Sequence, residues 1–185
     1  AVASNTLWGG SGDDMMTAYA DGNAYDDPSF FGSANNRLDG GFGNDIMSAT
    51  ISDDSNGSSE LCGGGGNDLM TAIGGTFNQL DGGAGNDTLA GSANADILTG
   101  GTGKDVLTGG FGADAFNFAT NDGSDTVTDF EDGQDVIRLL SGAADFSQVT
   151  VTAQGSDTLV TFSNVSVLLQ GVDASLVDAT DFLFG

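Results

Sequence analysis

Aspartates recur in this sequence at a spacing suited to a divalent cation. Asp14, Asp45, Asp68, Asp87, Asp105 and Asp125 each follow a glycine-rich stretch, and Asp96, Asp114 and Asp135 form a second set interleaved with the later members of the first. Carboxylates repeated on one edge of a structure about every 18 residues repel unless something positive sits between neighbours. Ca²⁺ fits that gap. It takes six to eight hard oxygen ligands, and a glycine turn with outward carbonyls, plus one Asp from each of two adjacent loops, supplies oxygen without nitrogen or sulfur. Six loops in one column leave five gaps and three in the other leave two, so the expected load is about five to seven ions.

Composition agrees with a need for counterions. Against 27 acidic residues stand only Arg37, Lys104 and Arg138, for a net charge of −24. Such a chain repels nucleic acid and anionic membranes, so no nucleic-acid partner is expected. It has no histidine, which removes Ser-His and Cys-His nucleophilic sites and zinc sites built on imidazole. A glycosidase-like pair of carboxylates remains formally available, but it needs a cleft, whereas these aspartates lie in periodic loops. Cys62 is alone, so no intramolecular disulfide is expected. It takes the place of Trp8, Asp39 and Asp81 in neighbouring repeats and reads as a surface residue. Neither a cleaved leader at Ala1 nor a run approaching 18 apolar residues is visible, so no membrane span is expected.

The elements that would position the aspartates follow from a repeat. Gly9-Gly10-Ser11-Gly12-Asp13-Asp14-Met15-Met16-Thr17 restarts at Gly40, Gly63, Gly82, Gly100 and Gly109, with a weaker copy from Gly91 to Thr99. From Gly82 the starts fall at 82, 91, 100 and 109, a period of nine of the form G-G-x-G-x-D-x-U-x. Earlier, Asn5-Thr6-Leu7, Asn36-Arg37-Leu38, Ser59-Glu60-Leu61 and Asn78-Gln79-Leu80 read as eroded half-repeats whose Asp has become Asn or Ser. Insertions at about 19–34 and 50–58 then sit on one edge; the first holds Tyr19, Tyr25, Phe30 and Phe31, which read as a partner contact or a small satellite cluster.

Nine residues make a six-residue turn and a short strand with position eight inward. Met16, Met47, Met70, Leu89, Leu98, Leu107 and Phe116 fill that position, and Leu7, Leu38, Leu61 and Leu80 face them. Stacked coils then form two parallel sheets stabilised by nearest neighbours. The position-seven residues Met15, Ile46, Leu69 and Val106 point the other way and are expected to be covered by the cap or the insertions. Asn44, Asn67 and Asn86 at position five read as turn formers. After Phe146 the pattern alternates, in Val149–Thr152, Thr158–Phe162 and Val165–Leu169, which predicts antiparallel strands over the open end. Residues 173–184 read as a turn or short helix. The expected fold is all-β: a parallel β-roll, a right-handed two-sheet solenoid over 1–140, with an antiparallel β cap over 141–185.

The intact G-G-x-G-x-D-x-U-x copies, with the later Asp129-Phe130-Glu131-Asp132-Gly133-Gln134-Asp135, resemble RTX proteins and the C-terminal roll of serralysin-type secreted proteins. The resemblance implies Ca²⁺ ligation by loop carbonyls of positions one to four and by the Asp at position six. Carried onto this sequence, that set is Gly9, Gly10, Ser11, Gly12 and Asp14; Gly40, Gly41, Phe42, Gly43 and Asp45; Gly63, Gly64, Gly65, Gly66 and Asp68; and Gly82, Gly83, Ala84, Gly85 and Asp87. It continues through Gly91, Ala93 and Asp96; Gly100, Gly101, Thr102, Gly103 and Asp105; Gly110, Gly112 and Asp114; Gly123 and Asp125; and Gly133 and Asp135. Asn36, Ser59 and Asn78 lack the charge, so no ion is expected on that edge in the first coils. The resemblance further implies a non-catalytic module that folds on calcium after export by type I secretion machinery, with an uncleaved signal near Asp181-Phe182-Leu183-Phe184. An adhesin, a carbohydrate- or ice-binding solenoid, or the C-terminal domain of a larger secreted enzyme are the alternatives. A regular outward Thr row at position three would favour ice binding; Ser11, Phe42, Gly65, Ala84 and Thr102 stand there instead.

Overall fold

The computed structural model describes residues 2–22, 33–52 and 56–185. The nine-residue period produces one strand per repeat, and successive strands fall alternately on two facing sheets. The first sheet holds, side by side, β1 (Val2–Ser11), β3 (Ser33–Phe42), β5 (Asn56–Gly65), β7 (Phe77–Ala84), β9 (Asp96–Thr102), β11 (Ala115–Phe118), β13 (Val136–Leu139) and β17 (Phe182–Phe184). The second runs β2 (Met15–Ala20), β4 (Ile46–Ile51), β6 (Leu69–Ile73), β8 (Thr88–Ala90), β10 (Val106–Thr108), β12 (Ser124–Val127), β16 (Val165–Leu169), β15 (Asp157–Phe162) and β14 (Thr150–Gln154). Every pairing from β1 to β17 and from β2 to β16 is parallel, as an all-β parallel roll requires.

In-register pairing stacks like on like. Leu7, Leu38, Leu61, Leu80, Leu98, Phe116, Ile137 and Phe182 form one column, and Met16, Met47, Met70, Leu89, Leu107, Val127 and Leu169 the other. All are buried except Leu7, which is half-buried on the outermost strand. A buried side chain of this size contributes about 1.5–3 kcal/mol, so the two columns are the main apolar support of the fold.

The final strands complete both sheets. Residues 150–169 form the expected antiparallel meander, but β16 pairs in parallel with β12, so the meander lengthens the second sheet. The end read as a turn or short helix is a single 3-10 turn, Ala179–Asp181, leading into β17, which lengthens the first sheet beside β13. Val160, Phe162, Val165, Val167, Leu169 and Phe182 thereby continue the core that starts at Met16.

This mode of closure leaves the outer faces open. Met15, Ile46, Leu69 and Val106 are 78%, 44%, 46% and 38% exposed, so the expectation that they are covered is corrected. Inward position eight forces position seven outward, and the cap continues the sheet instead of folding across it. On the opposite face Cys62 is half-buried between Asp39 and Asp81, and burial, with Asp81 next, pushes its thiol pKa up. β2 continues to Ala20 and β3 begins at Ser33, so both ends of the first insertion are strand. Ala20, Ala34 and Ile51 pack there as a small second core. Tyr19 is exposed, whereas Tyr25, Phe30 and Phe31 lie outside the described residues, as do residues 53–55 of the second insertion. No helix among the described residues is long and apolar enough to cross a membrane.

Candidate metal-binding loops

An intact loop joins β1 to β2, β3 to β4, β5 to β6, β7 to β8 and β9 to β10, and parallel stacking brings equivalent loop positions together. In the first column the backbone N–H of each aspartate donates to Oδ1 of the aspartate one coil later. Asp14 donates to Asp45, Asp45 to Asp68, Asp68 to Asp87 and Asp87 to Asp105 at 2.8 Å each, and Asp105 to Asp125 at 3.0 Å. Asp45, Asp68, Asp87, Asp105 and Asp125 are at most 3% exposed. Oδ1 of the last five is committed to the ladder, and Oδ2 of all six is buried without a hydrogen-bond partner. A buried carboxylate oxygen without a donor is costly, and a cation is the partner that a row of them calls for.

The glycines shape the space around those oxygens. A Cβ at Gly82 would collide with Oδ2 of Asp87, and the strand register steps over this position in every coil, pairing Cys62 with Asp81 and Gly64 with Gly83. Gly85 has φ of 140°, and a Cβ there would run into the carbonyl of Gly66. Only glycine permits that approach and that backbone angle together. The position-three carbonyls of Phe42, Gly65, Ala84 and Thr102 each accept the position-four N–H of the preceding coil at 2.7–2.9 Å, which leaves them one further lone pair.

The second column is less uniform. Asp96 donates its N–H to Asp114 at 2.8 Å and Asp114 to Asp135 at 2.9 Å, but only Asp114 has a buried, unpartnered Oδ2. Oδ2 of Asp96 accepts from Ser92 N–H at 2.6 Å, and that of Asp135 from Glu131 N–H at 2.9 Å. The weak loop carrying Gly91 and Ala93 is shaped differently, because Ser92 and Asn94 replace the two glycines that adopt positive φ in intact loops. Gly123 and Gly133, by contrast, keep positive φ before Asp125 and Asp135. Among the described residues no three acidic, thiol or imidazole side chains converge. An ion in a gap therefore has two carboxylates at hand and must complete its shell from loop carbonyls.

The RTX calcium-binding nonapeptide repeat, as a family model, matches four copies over residues 3–25, 32–55 and 81–116. Those stretches carry RTX calcium-binding repeats. The intervening loop at Gly63–Asp68, outside those stretches, joins the same ladder. Among solved structures, the crystal structure of extracellular lipase LipA from Serratia marcescens superposes at TM-score 0.50, with 18% identity over 98% of this chain and 40% of the lipase. The chain thus spans two fifths of that protein's length. The solution structure of the AlgE6R3 subunit from the Azotobacter vinelandii mannuronan C5-epimerase is similar at 27% identity over 68% of this chain and 77% of that one, at TM-score 0.43. No curated protein sequence matches.

Two features of the RTX loops were not read from the sequence. Position five is a ladder of its own: Asn44 N–H donates to Asp13 Oδ1, Asn67 to Asn44 and Asn86 to Asn67, at 2.7 Å each, and Lys104 to Asn86 at 2.9 Å. Asp129 accepts the N–H groups of Gly109 and Gly110 at 2.9 and 2.8 Å, capping the last intact loop with a carboxylate. Its only signal was its place 20 residues after Gly109, one coil along.

Burial raises the carboxyl pKa of Asp87 and Asp105 to about 6 and of Asp114 and Asp125 to about 7, against the lowering effect of the ladder N–H groups; neighbouring carboxylates add to the rise. These are properties of the roll without metal, and their sign is definite. A folded pKa raised above the ordinary value of 3.8 means stability that is present below about pH 4 and lost as pH rises through 6 to 7. Metal-free protein is therefore expected to gain β-structure when taken from pH 8 to pH 5, whereas calcium-loaded protein should lose ions over the same interval as protons compete. Circular dichroism across both pH series checks this. A metal-free chain that loses β-structure on acidification would show that these carboxylates are not the strained groups.

Proposed function

We propose that the chain is a non-catalytic calcium-binding module whose roll assembles around Ca²⁺ after export by a type I secretion system to the extracellular space. The observation that carries this reading is the column of six ladder-held aspartates, each with a buried Oδ2 that nothing else engages. Asp14, Asp45, Asp68, Asp87, Asp105 and Asp125 would hold ions between successive coils, together with the carbonyls of positions one to four. Asp96, Asp114 and Asp135 would do the same on the other edge. The ion supplies a double positive charge that joins rows which otherwise repel.

Non-catalytic use fits the absence of histidine and the commitment of the column aspartates to a structural ladder. Export before folding fits the calcium supply, since extracellular modules bind at about 10⁻⁴–10⁻³ M and the cytoplasm holds far less. It also fits the C-terminus. Asp181 and Phe182 are buried and β17 is paired in the finished sheet, so a signal there is readable before the roll closes. The same module would serve alone or as part of a longer secreted protein. Equilibrium dialysis with atomic-emission counting tests the reading: about five to seven Ca²⁺ per chain are expected, and one or none would overturn it.

A further inference from the structure

The column that contains Asp96, Asp114 and Asp135 does not begin at Asp96. Strand register continues it backward through Asn78, Ser59, Asn36 and Asn5. Asn36, Ser59 and Asn78 are buried to 2% exposure or less, as deeply as the aspartates of the other edge. Asn78 joins the ladder in the aspartate manner, its Oδ1 accepting Ser59 N–H at 3.0 Å while its own N–H donates to Asp96 Oδ1 at 2.8 Å. The second side-chain atom is what differs. Where aspartate leaves an unpartnered oxygen, asparagine places an NH₂ group, and that group finds acceptors. Asn5 Nδ2 donates to Tyr19 O at 2.8 Å and Asn36 Nδ2 to Thr50 O at 2.9 Å. Asn78 Nδ2 reaches Gly74 O at 3.1 Å, Ser92 Oγ at 3.2 Å and Asp96 Oδ1 at 2.9 Å.

We propose that these asparagines replace calcium: the amide N–H group does what the ion does elsewhere, tying a main-chain carbonyl to the ladder, and it keeps metal out of the gap above Asp96. The inference rests on the calcium reading of the aspartate columns and assigns the opposite role to one stretch of one of them. An amide nitrogen cannot ligate Ca²⁺, and its hydrogens face the oxygens that an ion would need. The first coils are thus metal-joined on one edge and amide-joined on the other. Ser59 is the incomplete rung. Its Oγ is buried without a partner, and the carbonyl in register with those of Tyr19 and Thr50 is that of Ile73.

Two variants test this. Asn78→Asp is expected to add one Ca²⁺ per chain, counted by equilibrium dialysis, because it sets a second carboxylate beside Asp96 and removes the donor. Ser59→Asn is expected to leave the ion count unchanged and raise the melting temperature of the calcium-loaded protein by about 2–4 °C, the gain from one net hydrogen bond at this size. A normal wild-type count with no ion gained in Asn78→Asp, or an ion gained or stability lost in Ser59→Asn, would overturn the amide role while leaving the calcium reading intact. A wild-type count near zero would instead remove the calcium reading itself. Should Asn78→Asp not fold, the Ser59→Asn result still decides.

Discussion

Replacing Asp87 by alanine is expected to remove two calcium ions and to raise the Ca²⁺ concentration needed for folding about threefold. Asp87 stands mid-column. Its Oδ1 accepts Asp68 N–H, its own N–H donates to Asp105, and its buried Oδ2 has no protein partner, so it faces the gaps on both sides. Breaking a buried charge pair by deleting one member costs about 3–5 kcal/mol. Spread over about six ions taken up in one folding transition, that loss corresponds to roughly half a decade in midpoint concentration. Asp87→Asn separates the contributions. It keeps an Oδ1 for the ladder but puts an amide where the orphan oxygen was, so it should lose the same two ions while retaining more stability than Asp87→Ala. Calcium titrations followed by circular dichroism, with ion counts at saturation, measure both quantities. An unchanged ion count in Asp87→Ala would place the metal elsewhere.

The roll was legible because its period is rigid. From Gly82 onward the nine-residue register assigns each residue to turn, inward or outward, and the columns through Leu80 and Leu89 follow directly. The eroded coils were legible too once Leu38, Leu61 and Leu80 were aligned, since core leucines survived where loop aspartates did not. What escaped the sequence depends on how coils meet. The pairing of β16 with β12 and of β17 with β13 brings together residues some 40 positions apart, where alternation shows that strands exist but not which edge they join. The position-five asparagines looked like local turn formers because an Asx turn and an inter-coil ladder need the same residue at the same place. Ser92 shows the converse: in the weak loop, where Ser92 and Asn94 replace glycines, Oδ2 of Asp96 accepts a backbone N–H, a difference that a count of aspartates conceals.

Chelation should abolish the fold. Neighbouring carboxylates in a column are separated by about one strand spacing, 4.8 Å, where two unit charges repel by about 3 kcal/mol at an effective dielectric constant of 20. Five such gaps in the first column alone amount to about 15 kcal/mol, which matches or exceeds the total stability of about 5–15 kcal/mol of an ordinary domain. Protonation could relieve the strain, but at pH 8 it lies above the raised values of Asp87, Asp105, Asp114 and Asp125, so these groups are charged. The remaining net charge of −24 expands whatever is released. Small-angle X-ray scattering reads this most directly. A radius of gyration near 16 Å is expected in millimolar Ca²⁺, expanding to about 46 Å on chelation at pH 8. An unchanged radius in chelator would contradict it.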